Sequence, residues 1–100
     1  MSTTLTHEAF SENLDSEFSL EDEASRQKLR LINVSKPKVS PPWEQFSVMF
    51  RGSNDKALEQ GTFHLEHPAM GRLDLFMVPV KQDEQGMYYE AVFSYLAEAG

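Results

Sequence analysis

Between residues 44 and 51 the apolar side chains recur at every second position. Phe46, Val48 and Phe50 fall on one side, and Gln45, Ser47, Met49 and Arg51 on the other. A period of two puts alternate residues on opposite faces of an extended chain, so this segment predicts a half-buried strand. Five further segments read as strands. Phe18 and Leu20 alternate with Glu17, Ser19 and Glu21, and Leu29 and Leu31 mark residues 27–35. Phe63 and Leu65 mark residues 62–67, and residues 72–80 hold the longest apolar stretch, Leu75-Phe76-Met77-Val78-Pro79-Val80. Met87, Tyr89, Ala91, Phe93 and Tyr95 share one side of residues 87–96. Within residues 27–35 the apolar phase slips to Ile32 and Val34, which predicts a bulge or a strand covered on both faces. Six strands expose two edges and a bare apolar face unless the sheet closes. The expected fold is therefore mainly β: a small antiparallel six-stranded barrel or compact sandwich, its last four strands linked as a meander.

The punctuation between these runs supports the division. His67-Pro68-Ala69-Met70-Gly71 fits a hairpin loop with proline at the second turn position and glycine at the left-handed one. Lys81-Gln82-Asp83-Glu84-Gln85-Gly86 reads as a polar hairpin tip, and Gly52-Ser53-Asn54-Asp55 as a turn. Lys36-Pro37-Lys38-Val39-Ser40-Pro41-Pro42 reads as a rigid connector, because proline lacks the donor that a central strand needs. Ahead of the strands, Thr6 fits a helix N-cap, and Leu5 and Phe10 have the spacing of a hydrophobic staple. Two turns of helix do not hold alone, so this helix is expected to dock through Phe10 and Leu14. The division is one domain over residues 1–100, with a helix at 5–14, a β body at 16–96 and a frayed tail at 97–100.

Charge narrows the partners. The formal net charge is −7, and seven acids (Glu8, Glu12, Asp15, Glu17, Glu21, Asp22 and Glu23) lie in residues 8–23 without a lysine or arginine. The rest of the chain is balanced. A nucleic-acid binder needs a net basic face to displace counterions, so none is expected here. The basic run Arg26, Lys28, Arg30, Lys36 and Lys38 is expected to pair with the acidic block across a hairpin instead. The chain has no cysteine, which excludes disulfides, a thiol nucleophile and thiolate metal sites. Neither a signal-peptide pattern nor a membrane-length apolar run is present, so a cytoplasmic chain without a membrane partner is expected.

Few residues suggest chemistry. His64 and Glu66 share a strand face while His67 points to the other, so the two histidines cannot chelate one ion from a regular strand. They are weak polar-site candidates, with His64 and Glu66 read as a solvated pair and His67 as a partner of its turn. No glycine-rich phosphate loop or nucleophile elbow occurs. No catalytic residue, metal ligand or cofactor is assigned. Trp43 follows Pro41-Pro42, and an indole on a stiff segment loses little entropy on binding. It is the leading interaction candidate, joined by Tyr88, which lies with Glu90, and by the acidic residues Glu17, Glu21, Asp22 and Glu23.

Several strings are distinctive: Phe50-Arg51-Gly52, residues 58–68, residues 70–80 and Tyr89-Glu90-Ala91-Val92-Phe93. With Leu5-Thr6-His7-Glu8-Ala9-Phe10, they make the chain resemble an uncharacterised bacterial domain family of about this length; residues 22–43 match least. The resemblance carries no activity and no functional residues. Members occur near phage-tail-collar-like proteins, which implies an accessory part of a tail-like assembly. The leading expectation is a non-enzymatic interaction or assembly domain with a protein partner. A small-ligand-binding barrel is the alternative, and an enzyme using His64 and Glu66 comes third.

Overall fold

The computed structural model describes residues 7–21, 27–40, 43–56 and 58–96, among which seven strands follow a short α-helix, with one 3-10 turn at Asn54–Lys56. They are α1 (His7–Glu12), β1 (Glu17–Leu20), β2 (Lys28–Val34), β3 (Lys38–Ser40), β4 (Trp43–Gly52), β5 (Gly61–His67), β6 (Gly71–Asp83) and β7 (Gly86–Leu96). All pairings are antiparallel. β2 pairs with β1, β1 with β5, β5 with β6, β6 with β7, β7 with β4, and β4 returns to β2. That circuit closes a six-stranded barrel, so every barrel strand has a partner on both sides over at least part of its length.

Two features depart from the expected connectivity. Of the four strands expected to form a meander, β5, β6 and β7 do, but β4 lies beside β7 and β5 beside β1. The chain therefore crosses one end of the barrel between β4 and β5. Side chains hold that crossing: Leu58 N donates to Tyr89 Oη (2.7 Å), and Asn54 Nδ2 donates to the Asp83 carbonyl (2.8 Å). The connector after β2 also contains a strand, β3, which pairs with residues 43–45 of β4 on the edge that β2 uses at 48–51. Pro37 falls in the gap between β2 and β3, where no ladder donor is needed. Ser35 bridges the same gap, donating its N–H to the Ser47 carbonyl and accepting the Ser47 N–H on Oγ, both at 2.8 Å.

The phase slip in β2 is a register shift. Leu31 faces Phe50 and Asn33 faces Met49, leaving Ile32 as the extra residue. A second shift in β6 sets Pro79 opposite Tyr89 and Lys81 opposite Tyr88, so Val80 is unpaired. The β5–β6 turn has the expected form, with Gly71 at φ 75° closing against His67. A left-handed residue at that point costs glycine nothing in side-chain clash.

Alternation fills the interior. Phe18, Leu29, Leu31, Phe46, Val48, Phe50, Leu65, Leu73, Leu75, Met77, Tyr89 and Ala91 are buried. Phe10 of α1 joins them at one end, its ring 5.3 Å from Phe93 and 6.1 Å from Phe46. Leu14 does not dock as expected and is 44% exposed. The helix ends at Glu12, and Asp15 at φ 66° turns the chain toward β1, so Leu14 lies beyond the helical face that carries Phe10. Thr6, Leu5 and residues 97–100 lie outside the described residues.

Because Phe10 is the buried anchor of α1, Phe10→Ala is expected to destabilise the chain by about 3 kcal/mol. Urea unfolding monitored by Trp43 fluorescence measures this. A loss below about 1 kcal/mol would mean that the helix does not seal the core.

Candidate functional site

Among the described residues, Ser16 and His67 form an arrangement that resembles catalytic machinery. His67 ends β5 with its side chain turned inward, stacked on Phe18 with ring centroids 4.3 Å apart. Its Nδ1 accepts the N–H groups of Ala69 (3.0 Å) and Met70 (3.1 Å), and its Nε2 lies 2.8 Å from Ser16 Oγ. A ring nitrogen that accepts two backbone donors carries no proton, so the neutral imidazole is protonated on Nε2. His67 therefore donates to Ser16, and Ser16 Oγ donates onward to the Asn13 carbonyl at 2.5 Å. Activating a serine requires the reverse, an unprotonated Nε2 that takes the hydroxyl proton. Burial also lowers the His67 pKa and keeps the ring neutral. The chain of bonds thus ties the α1–β1 link to the β5–β6 turn. The turn bonding was legible from His67-Pro68, but Ser16 was not, since fifty-one positions separate it from His67.

Outside the barrel, His64 and Glu66 do not act as a pair. Each meets the residue directly opposite on β6: His64 faces Asp74, and Glu66 faces Arg72. His64 Nδ1 lies 2.5 Å from Asp74 Oδ1, and both side chains are largely exposed. Arg72 Nε binds Glu21 Oε2 at 3.2 Å. Glu21 also hydrogen-bonds Glu66, and that bond, followed by Glu21's negative charge, raises the Glu66 pKa above 4.5 while Arg72 opposes the shift. Glu21 thereby links the acidic block to Arg72 of β6, and Arg30 of the basic run donates Nη1 to the Asp15 carbonyl at 3.3 Å. Glu17 is exposed and sits in register with Arg30, while Asp22, Glu23 and Arg26 lie outside the described residues.

The two aromatic candidates separate. Trp43 opens β4 and is 51% exposed. Tyr88 lies on the outer face as expected, yet is only 6% exposed and is not a free contact residue. Its hydroxyl donates to Asp83 (2.9 Å to Oδ2), and Lys81 Nζ covers its ring at 4.8 Å from the centroid. The Val80 bulge brings these residues together by changing the register beside Tyr88.

Phe76 and Val92 are exposed apolar residues that alternation alone does not single out. Phe76 is 56% and Val92 53% exposed. They flank a groove where β6 and β7 part: their ladder runs from Asp83–Gly86 to Val78–Glu90 and ends there. The signal was present in residues 73–80, where apolar residues occupy both phases of the alternation. Among the described residues no group of three or more histidines or acids is placed to hold a metal ion, and no helix is long and apolar enough to cross a membrane.

Two measurements test these assignments. His67 is expected to appear as the Nε2–H tautomer in long-range 1H–15N spectra, with Ser16 inert to a fluorophosphonate; an Nδ1–H tautomer would contradict donation from His67 to Ser16. Glu66 keeps its proton to higher pH when folded, so stability declines as pH rises from 4.5 through its raised pKa. His67 acts oppositely, its stabilisation being complete above 6.5 and lost as pH falls through its lowered value. Subtracting the melting profile of Glu66→Gln isolates the first effect. The variant should lack that decline, and identical profiles would refute the Glu21–Glu66 interaction.

No curated protein and no solved structure matches the chain significantly. A family model described as a domain of unknown function (DUF6916) matches residues 5–93, and the chain belongs to that family.

Proposed function

We propose that this chain is a non-enzymatic interaction domain, an accessory part of a larger protein assembly. One observation carries the reading: large apolar side chains stand outside a barrel whose interior is already full. Trp43, Phe76 and Val92 are each more than half exposed, on three strands that adjoin in the order β6, β7, β4. Exposing such groups has a hydrophobic cost that burial against a partner recovers, and aromatic residues supply much of the energy at protein interfaces. The Ser16–His67 pair, polarised away from the serine, supports a binding role over a hydrolytic one. The packed interior, with Phe18, Phe50 and Tyr89 fully buried at its centre, lends no support to a small-ligand barrel. A tail-like assembly is the setting that the family resemblance implies.

Affinity capture and crosslinking from native lysate test the reading. The chain should retain a protein partner, and Trp43→Ala should weaken retention by about 2 kcal/mol, the scale of an interface anchor. Added salt should weaken it further if Glu17 and Glu21 belong to the contact. Capture of nothing, or equal capture by Trp43→Ala and Phe76→Ser variants, would overturn the proposal.

A further inference from the structure

The parting of β6 and β7 leaves two strand edges facing each other without a shared ladder. Among the described residues, 71–77 of β6 are in register with β5 alone, and 91–96 of β7 with β4 alone. Strands of a hairpin normally continue to pair until one of them ends. Here both continue, β6 back to Gly71 and β7 on to Leu96, after their last shared pair at Val78–Glu90. The space between them is a groove lined by Asp74, Phe76, Val78, Glu90, Val92 and Phe93.

Sheet edges are ordinarily guarded by proline, lysine or a bulge placed on the edge itself. Residues 91–94, Ala91-Val92-Phe93-Ser94, have none of these, and the bulge in β6 lies beyond the groove, at Val80. The two banks instead offer what an added strand uses. They present backbone groups for main-chain pairing, and apolar side chains, Phe76 and Val92, at the surface for alternate residues to cover. The charged side chains lining the groove are both acidic, Asp74 and Glu90. Asp74 is engaged on one oxygen by His64. No ion pair joins Glu90 to another described residue. With a net charge of −7, the chain as a whole also favours a basic partner.

We propose that this groove is a strand-addition site for an extended peptide segment in which apolar residues alternate with lysine or arginine. Its apolar side chains cover Phe76 and Val92, its cations face Glu90 and Asp74, and its backbone pairs with the edge of β7 that no described strand uses. This inference rests on the reading of the chain as an interaction domain and states which part of a partner it takes. Trp43 does not line this groove, so capture lost through Trp43→Ala and peptide protection at the groove report on different contacts.

The test uses the full chain and a capped synthetic peptide of alternating valine and lysine, followed by amide hydrogen exchange. In the free chain, those amides of residues 91–94 not bonded to β4 should exchange rapidly, and the peptide should protect them. A peptide with proline at the alternate positions, or with glutamate replacing lysine, should give no protection. Val92→Lys, which adds an edge guard at an exposed position, should abolish protection while leaving the melting temperature unchanged. Phe76→Ser should weaken it and serves as the second variant if Val92→Lys unfolds. Equal protection by the proline peptide would overturn strand pairing, and equal protection by the glutamate peptide would overturn the charge assignment. Slow exchange of these amides in the free chain, whether constant or growing with protein concentration, would show the edge covered by the chain itself or by a second copy, and would also overturn it. If lysate capture through Trp43 persists while the valine–lysine peptide leaves exchange unchanged, the strand-addition site fails and the interaction domain stands.

Discussion

Both edges of β4 are in use, and the rest of the barrel depends on that. On one edge it pairs with β7 along its whole length, from Trp43–Leu96 to Gly52–Met87. On the other it accepts β2 near Phe50 and β3 near Glu44. Paired on a single edge, β4 would itself be one end of an open sheet with β2 or β7 at the other, and Leu29, Leu31 and Tyr89 would face water. Pairing on both makes the sheet a closed circuit and turns one apolar face into a core. Every buried side chain of the cluster then gains neighbours from across the barrel, a stronger source of stability than the ladder bonds themselves.

Closure has a geometric consequence. Six strands bent into a circuit must stagger and twist, and the chain absorbs the mismatch at Ile32 and Val80, where one strand carries an extra residue. Each irregularity also shapes the surface. The shift at Val80 gathers Lys81, Tyr88 and Asp83 into a compact outer cluster, while farther along the same hairpin β6 and β7 separate. The end opposite the hairpin tip is sealed differently, by Phe10 from the helix against Phe46 and Phe93. Core sealing is thus divided between a sheet that closes on itself and a single aromatic residue delivered from outside it.

The polar groups follow the same division between structure and surface. His67 and Ser16 bond inward, and their proton order suits a fixed joint between two loops. His64, Glu66, Asp74 and Arg72 face water as cross-strand pairs, where ion pairs add little stability. What remains unusual is apolar: Trp43, Phe76 and Val92 on the outside of a chain that already has a filled interior. The proposed interaction role rests on these three side chains.

The positions of the six barrel strands, the β2 bulge, the form of the β5–β6 turn and most core residues were legible in the sequence, whereas β3 was not. Side-chain alternation and turn chemistry are local properties, set by residues two to four positions apart. Phe46, Val48 and Phe50 needed no knowledge of their partners to be placed inside. The pairing of strands was not legible in this way. That β4 returns to β7, that Ser16 meets His67, and that Glu66 answers to Glu21 and Arg72 rather than to His64 all depend on contacts between distant segments. Alternation says which face a residue occupies but not which strand lies beside it. The apolar run at residues 73–80 shows the limit clearly. The sequence alone determined that both of its faces are apolar; only the tertiary structure decided that Leu73, Leu75 and Met77 are covered and Phe76 is not, because burial depends on what packs against a face.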